Sequence, residues 1–96
     1  MVEIIWTRNA LDDVDNCAEY IAIDSEQYAK LFVARVLQKV KILASNSMAG
    51  RVVPELNKSN IRELIFGNYR IIYKIDAKKV HILSVYHSAR ILDLDL

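Results

Sequence analysis

Three β-rich runs separated by two-residue breaks, "IRELIF-GN-YRIIYKID-AK-KVHILSVYH", dominate what this chain can fold into. Gly67-Asn68 between two such runs is a hairpin turn signal, and Ala77-Lys78 is placed to make a second. The three runs therefore predict an antiparallel meander. A two-residue turn at Gly67-Asn68 pairs Phe66 with Tyr69, Ile65 with Arg70 and Glu63 with Ile72, and directly opposed side chains share a sheet face. With two residues in the second turn as well, Lys74 faces His81, Ile72 faces Leu83 and Arg70 faces Val85, with His87 two further along the same face. One face then carries Leu64, Phe66, Tyr69, Ile71, Tyr73, Ile75, Ile82 and Tyr86. The other gathers Glu63, Arg70, Lys74, His81 and His87 around Ile65, Ile72, Leu83 and Val85. A three-residue second turn would instead flip the third strand and separate the histidines from Arg70.

The residues before the meander supply helices to cover its apolar face. "VEIIW", Val2 to Trp6, is β-branched and aromatic and predicts a first strand. Thr7 is placed as the N-cap of a helix to about Ile23, with Leu11, Val14, Ala18, Ile21 and Ala22 at helical spacing. "DSEQ" has the capping-box pattern with Asp24 as N-cap, opening a second helix that carries Ala29, Phe32, Val33, Val36, Val40 and Leu43 on one side. So short a connection implies an antiparallel helical hairpin. "GRVV", before Pro54, predicts a short edge strand. The fold class is α+β: an N-terminal helical hairpin on a small, twisted, mainly antiparallel sheet, in one domain over residues 1–96.

The net charge of +1 conceals an asymmetry. Residues 1–28 hold seven acids against Arg8, whereas residues 29–90 hold twelve Lys and Arg against Glu55, Glu63 and Asp76. Two readings stand side by side: an anionic partner for the basic part, or a solvated acidic helix followed by ordinary surface lysines. The N-terminus has no signal-peptide pattern, and no apolar run is long enough to span a membrane, so a cytoplasmic protein is expected. Cys17 is the sole cysteine, which excludes a disulfide framework, and mid-helix it reads as packing.

The polar sheet face collects groups that can do chemistry. Arg70 offers a planar fork of donors for a phosphate or for a partner's carboxylate. On the expected register it lies opposite the tyrosine face, so it need not be buried. Glu63, diagonal to Arg70 and Lys74, is a cross-strand ion-pair partner or a member of a site. His87 is the better placed of the two histidines for proton transfer; His81 sits by the lysine-rich turn and reads as solvent-exposed. Two histidines without a third clear ligand do not make a zinc site. With only Gly50 and Gly67 in the chain there is no glycine-rich phosphate loop, and no cofactor is expected.

"IIWTRNALDDVDNCAEYIA", "GRVVPEL", "IRELIFGNYRIIYKI" and "ILSVYHSARIL" together resemble the RelE/ParE family of toxins from type II toxin–antitoxin modules, which includes plasmid stabilisation proteins. The pieces span nearly the whole chain in the family's order. The resemblance implies a growth-arresting protein neutralised by a cognate antitoxin, with operator DNA met only through that antitoxin and no membrane partner. It implies one of two targets: DNA gyrase, poisoned by binding in ParE-like members, or messenger RNA on the ribosome, cut by RelE-like endoribonucleases. For the nuclease reading, Arg70 matches an arginine that stabilises phosphate charge, Arg62 lies roughly where some members carry a catalytic lysine, Glu55 lies near a general base and His87 near a histidine. Ser88 departs from that pattern, standing about where nucleases carry a catalytic arginine or tyrosine. For contact with target or antitoxin, the resemblance points to Arg70, Lys74, Glu63 and Arg90. The intact helical hairpin and the "VYHSAR" ending look ParE-like, so the gyrase reading leads and the ribosome-dependent nuclease follows. A third reading is an inactive member serving only as antitoxin-bound co-repressor.

Overall fold

The computed structural model describes residues 1–87. Ser88 and Arg90, singled out above, lie outside the described residues. Strand β1 (Glu3–Trp6) leads into helix α1 (Arg8–Asp24) and helix α2 (Glu26–Lys41), which ends in a 3-10 turn over Ile42–Ala44. Strands β2 (Arg51–Val52), β3 (Ile61–Phe66), β4 (Tyr69–Asp76) and β5 (Lys79–His87) complete a five-stranded sheet in the order β1-β5-β4-β3-β2. The β1–β5 pair is parallel and the others are antiparallel, so the sheet is mixed.

Local chemistry explains the boundaries. Thr7 caps α1 as expected, its Oγ1 accepting from the Ala10 N–H at 3.2 Å. Ser25, rather than Asp24, caps α2 by accepting from the Tyr28 N–H, while Asp24 closes the last turn of α1. Ser25 thus serves both helices, because its own N–H also donates to the Ile21 carbonyl. The two β-turns fall where expected, with left-handed backbone at Gly67 (φ 56°) and at Ala77 (φ 55°).

The helix-side core joins Ala10, Val14, Phe32, Val36, Val40 and Leu43 to Leu64, Ile71, Tyr73, Val80, Ile82 and Val85 of the sheet. A second, smaller core lies on the opposite face, where Val53, Ile61 and Ile72 pack with Leu56, Leu83 and Tyr86. Residues 53–56, after the edge strand β2, supply its outer wall.

The first hairpin has the expected register throughout, Glu63 opposite Ile72 and Ile65 opposite Arg70. The second starts in register, with Lys74 opposite His81, then slips by one residue between Ile72 and Tyr73. Tyr73 pairs with Ile82 but Ile72 pairs with Ser84, leaving Leu83 as the extra residue of a β-bulge. Beyond it, Arg70 faces Tyr86 instead of Val85, and His87 faces Tyr69. The bulge exchanges the faces of three residues relative to the expected register: Val85 enters the helix-side core, Tyr86 joins the small outer core, and His87 moves to the helix side.

The start of α1 stabilises this irregularity. Asp13 Oδ2 accepts from the Ser84 hydroxyl at 2.7 Å and from the Val85 N–H at 2.9 Å. Thr7 Oγ1 donates to the Ile82 carbonyl at 2.6 Å, and the Asn9 amide donates to the Leu83 carbonyl at 2.8 Å. Backbone groups around the bulge are thereby satisfied by side chains of the helix, as buried polar groups require. At the other end of the sheet, Tyr73 ties down the loop before β2: its hydroxyl accepts from the Gly50 N–H and donates to the Ser47 carbonyl. Gly50 has no room for a side chain, since a Cβ there would lie 2.4 Å from the Glu63 carbonyl oxygen.

Asp13→Ala strands the Ser84 hydroxyl and the Val85 amide, so urea unfolding is expected to show a loss of about 1–3 kcal/mol, with faster Val85 amide exchange. An unchanged midpoint would show that the bulge holds without Asp13.

Candidate functional site

Arg70 is buried, at 8% exposure, although its position opposite the tyrosine face did not require it. Its position on β4, between β3 and β5, fixes the backbone, and two carboxylates take up its fork. Nη1 and Nη2 donate to the two oxygens of Glu55 at 2.7 and 2.9 Å, a bidentate pair. Nε donates to Oε1 of Glu63, which is itself buried on β3. The other oxygen of Glu63 accepts from Nε of Arg51 on the edge strand β2. Arg51 lies directly opposite Glu63 in the ladder, so the chain Glu55–Arg70–Glu63–Arg51 runs across three strands and onto the loop after Pro54.

The charges answer one another. Glu55 is held down to about 2 from an ordinary 4.5, chiefly by its hydrogen bonds from Arg70, with burial pushing the other way. Arg70 is raised further above its ordinary value, first by Glu55, with Glu63 adding to the effect against burial. Facing Arg70 across the ladder, the Tyr86 phenol is pushed up to about 12, mainly by burial. Its hydroxyl oxygen lies buried without a hydrogen-bond partner among the described residues.

The other expected site residues are elsewhere. Arg62 points toward the β2 side, where Nη1 donates to the Gly50 carbonyl and Nε to the Ser59 carbonyl, a tie between loops. Lys74 is exposed and opposes His81, while Glu63 pairs with Arg70 and Arg51. His87 does not share the face of Arg70. Its ring packs edge-on against Tyr69 at a centroid distance of 5.3 Å, and the two line a cleft of about 650 Å³ against Asn16, Cys17 and Tyr20 of α1. The bulge at Leu83 is the physical reason: one extra residue turns every later side chain over.

The structure thus brings Arg70, Glu55 and Glu63 together and leaves Arg62, Lys74 and His87 apart from them. Arg51 and Tyr86 were not anticipated at this cluster. A partial sequence signal existed for Arg51, because "GRVV" was expected as a short edge strand, though not its place beside β3; Tyr86 gave none, since its face depends on the bulge. Among the described residues, no group of three His, Cys, Asp or Glu side chains is placed to hold a metal ion. No helix among them is long and apolar enough to cross a membrane.

A family model described as the ParE toxin of the type II toxin–antitoxin system parDE matches residues 4–92, nearly the whole chain. The chain belongs to the ParE toxin family. Its α+β architecture agrees with solved structures of such systems. A chain of the chromosomal ParDE toxin–antitoxin system of P. aeruginosa is similar with a TM-score of 0.75 at 22% identity, covering 91% of this chain and 96% of that one. A chain of the RelBE2 toxin–antitoxin complex of Mycobacterium tuberculosis is similar with a TM-score of 0.64 at 20% identity, covering 93% of each. At these identities the likeness speaks for the fold. No curated protein matches the sequence.

Two outcomes test the cluster. Arg70→Ala leaves Glu63 buried against Arg51 alone, and urea unfolding should show a loss of about 3–5 kcal/mol; a loss below 1 kcal/mol would contradict the geometry. The folded-state value of Glu55 lies below the unfolded one, so its stabilisation is complete above about pH 4.5 and is lost as pH falls toward 2. The stability difference between wild type and Glu55→Gln is therefore expected to be flat above that window and to shrink within it. The side chain is 45% exposed, so solvent screening moderates the size of the effect.

Proposed function

We propose that this ParE-family toxin arrests growth by binding its target rather than by cutting RNA, that the target is DNA gyrase, and that a cognate antitoxin neutralises it. The observation that carries this reading is the dispersal and engagement of the groups a ribonuclease would need. Arg70 spends Nε and both Nη atoms on Glu55 and Glu63. Glu55, held at about 2, is a feeble base near neutrality, where a general base works best with a pKa close to the ambient pH. His87 stands on the opposite side of the sheet from both. Transfer of a proton from a ribose hydroxyl demands an available base within reach of that hydroxyl and a free clamp on the adjacent phosphate. Here base and clamp are bonded to each other and His87 lies apart from both.

The match to the ParE family model over most of the chain supports the gyrase target, since gyrase is what ParE-like members are expected to poison. The similar ParDE and RelBE2 chains come from toxin–antitoxin systems, which supports an antitoxin as the neutralising partner. The cytoplasm, where gyrase acts, is the matching location.

Purified protein added to gyrase and plasmid is expected to accumulate cleaved DNA, and messenger RNA on translating ribosomes is expected to stay whole. His87→Ala and Glu55→Gln should retain growth arrest when expressed to wild-type level. Codon-positioned messenger cuts with normal supercoiling would overturn the proposal.

A further inference from the structure

The helical hairpin ends in side chains that folding does not use. The inner face of α1 is already filled by Ala10, Val14, Cys17 and Ile21 against the sheet. Yet Tyr20, Ile23 and Tyr28, around the Ser25 turn between the helices, are 74%, 79% and 68% exposed. Clustered exposed side chains of this size on a small domain mark a contact surface. Tyrosine is well suited to one, having a large amphipathic ring with little conformational freedom to lose. The two tyrosines also stand at the edges of hollows. Tyr20 borders the cleft of about 650 Å³ beside Tyr69, and Tyr28 borders one of about 290 Å³ lined by Phe32, Phe66 and Tyr69.

From Asp12 to Glu26 the charge along the hairpin is of one sign, bounded by Arg8 before it and by Lys30 and Arg35 after it. Between Asn9 and Ala29 there are six acids and no Lys or Arg. Asp13 is committed to the bulge, but Asp12, Asp15, Glu19, Asp24 and Glu26 are all exposed. The charge decides among occupants. Nucleic acid is repelled by such a rim. A second copy docked tip to tip about a two-fold axis would set these acids against themselves. A cationic protein surface with apolar sockets meets both features, the rim steering the encounter and the rings anchoring it.

We infer that the tip of the helical hairpin, Tyr20, Ile23 and Tyr28 within the rim of Asp15, Glu19, Asp24 and Glu26, is the surface by which this protein grips a basic patch on a protein partner. This inference rests on the reading that the protein acts by binding, and it locates the gripping surface on the helices, away from the Arg70 cluster. The acidic hairpin and the basic residues of the sheet and its loops, Arg51, Lys58, Arg62 and Lys74, then serve as two poles with different partners.

The test compares wild type with Tyr20→Ala/Tyr28→Ala, with Glu19→Lys/Asp24→Lys, and with Asp76→Lys as a charge reversal away from the tip. Each variant is first checked for wild-type thermal unfolding, then measured for affinity to purified gyrase at two salt concentrations and for growth arrest on expression. Both tip variants are expected to lose about ten-fold or more in affinity and to lose growth arrest, while Asp76→Lys keeps both. Wild-type affinity should fall with salt. Folded tip variants that bind gyrase as wild type does would overturn the inference. If wild type itself does not bind gyrase, the gyrase target is overturned, and growth arrest decides the surface: tip variants that still arrest growth overturn it. A wild-type dimer in sedimentation that Tyr20→Ala/Tyr28→Ala dissociates would make a second copy the occupant and overturn the basic partner. Absence of both growth arrest and gyrase binding in wild type would overturn both readings.

Discussion

The guanidinium of Arg70 is the point on which the outer face of the sheet is built. A cation placed among Ile71, Ile72 and Tyr73 on a central strand is tolerable only if its donors are answered, because an unpaired charge in that setting costs several kcal/mol. Glu63 answers from the neighbouring strand and Glu55 from the loop beyond Pro54. Glu63, buried in turn, draws Arg51 across from β2, which gives a two-residue edge strand a reason to stay in register. The small apolar core of Val53, Leu56, Ile61, Ile72, Leu83 and Tyr86 closes around this ionic chain. The arrangement is better read as a device that positions the 53–56 segment than as a large source of net stability, since buried pairs return little beyond their own desolvation.

The same interaction bears on function. A guanidinium that binds phosphate in catalysis has to present its fork to solvent. Here the fork is closed by the protein's own carboxylate. The remaining candidates are distributed by the sheet itself: Arg62 to a loop tie, Lys74 to the exposed surface, and His87 to the helix side beyond the bulge. A binding toxin needs no assembled proton-transfer site, and its distinctive surface is then sought elsewhere, on the acidic, aromatic tip of the hairpin.

Much of this architecture was legible in the sequence because it is local. Gly67-Asn68 and Ala77-Lys78 announce their turns, Thr7 its cap, and the apolar spacing its two helices; the pairing of β3 with β4 follows from turn length alone. What was not legible depends on residues far apart in the chain. The bulge at Leu83 is stabilised by Asp13, Thr7 and Asn9, more than seventy residues away, and no alternation within β5 reveals it. The single slip moved Val85, Tyr86 and His87 to faces other than those expected. The burial of Arg70 depends on Glu55, whose loop has no pattern that shows where it folds back. Even the choice of Ser25 over Asp24 as the cap of α2 turned on one residue, which spacing alone does not resolve.

The most direct test of the central claim is the exchange of the Arg70 Nε proton with solvent, followed by nitrogen-15 NMR of the arginine side chains in the intact protein. Held between Nε and the buried Glu63 carboxylate, that proton is expected to be strongly protected near neutral pH, and that of Arg8, which is exposed, to exchange rapidly. An Arg70 proton exchanging as fast as that of Arg8 would mean that the fork is open, and the reading of this cluster as structural rather than catalytic would fall.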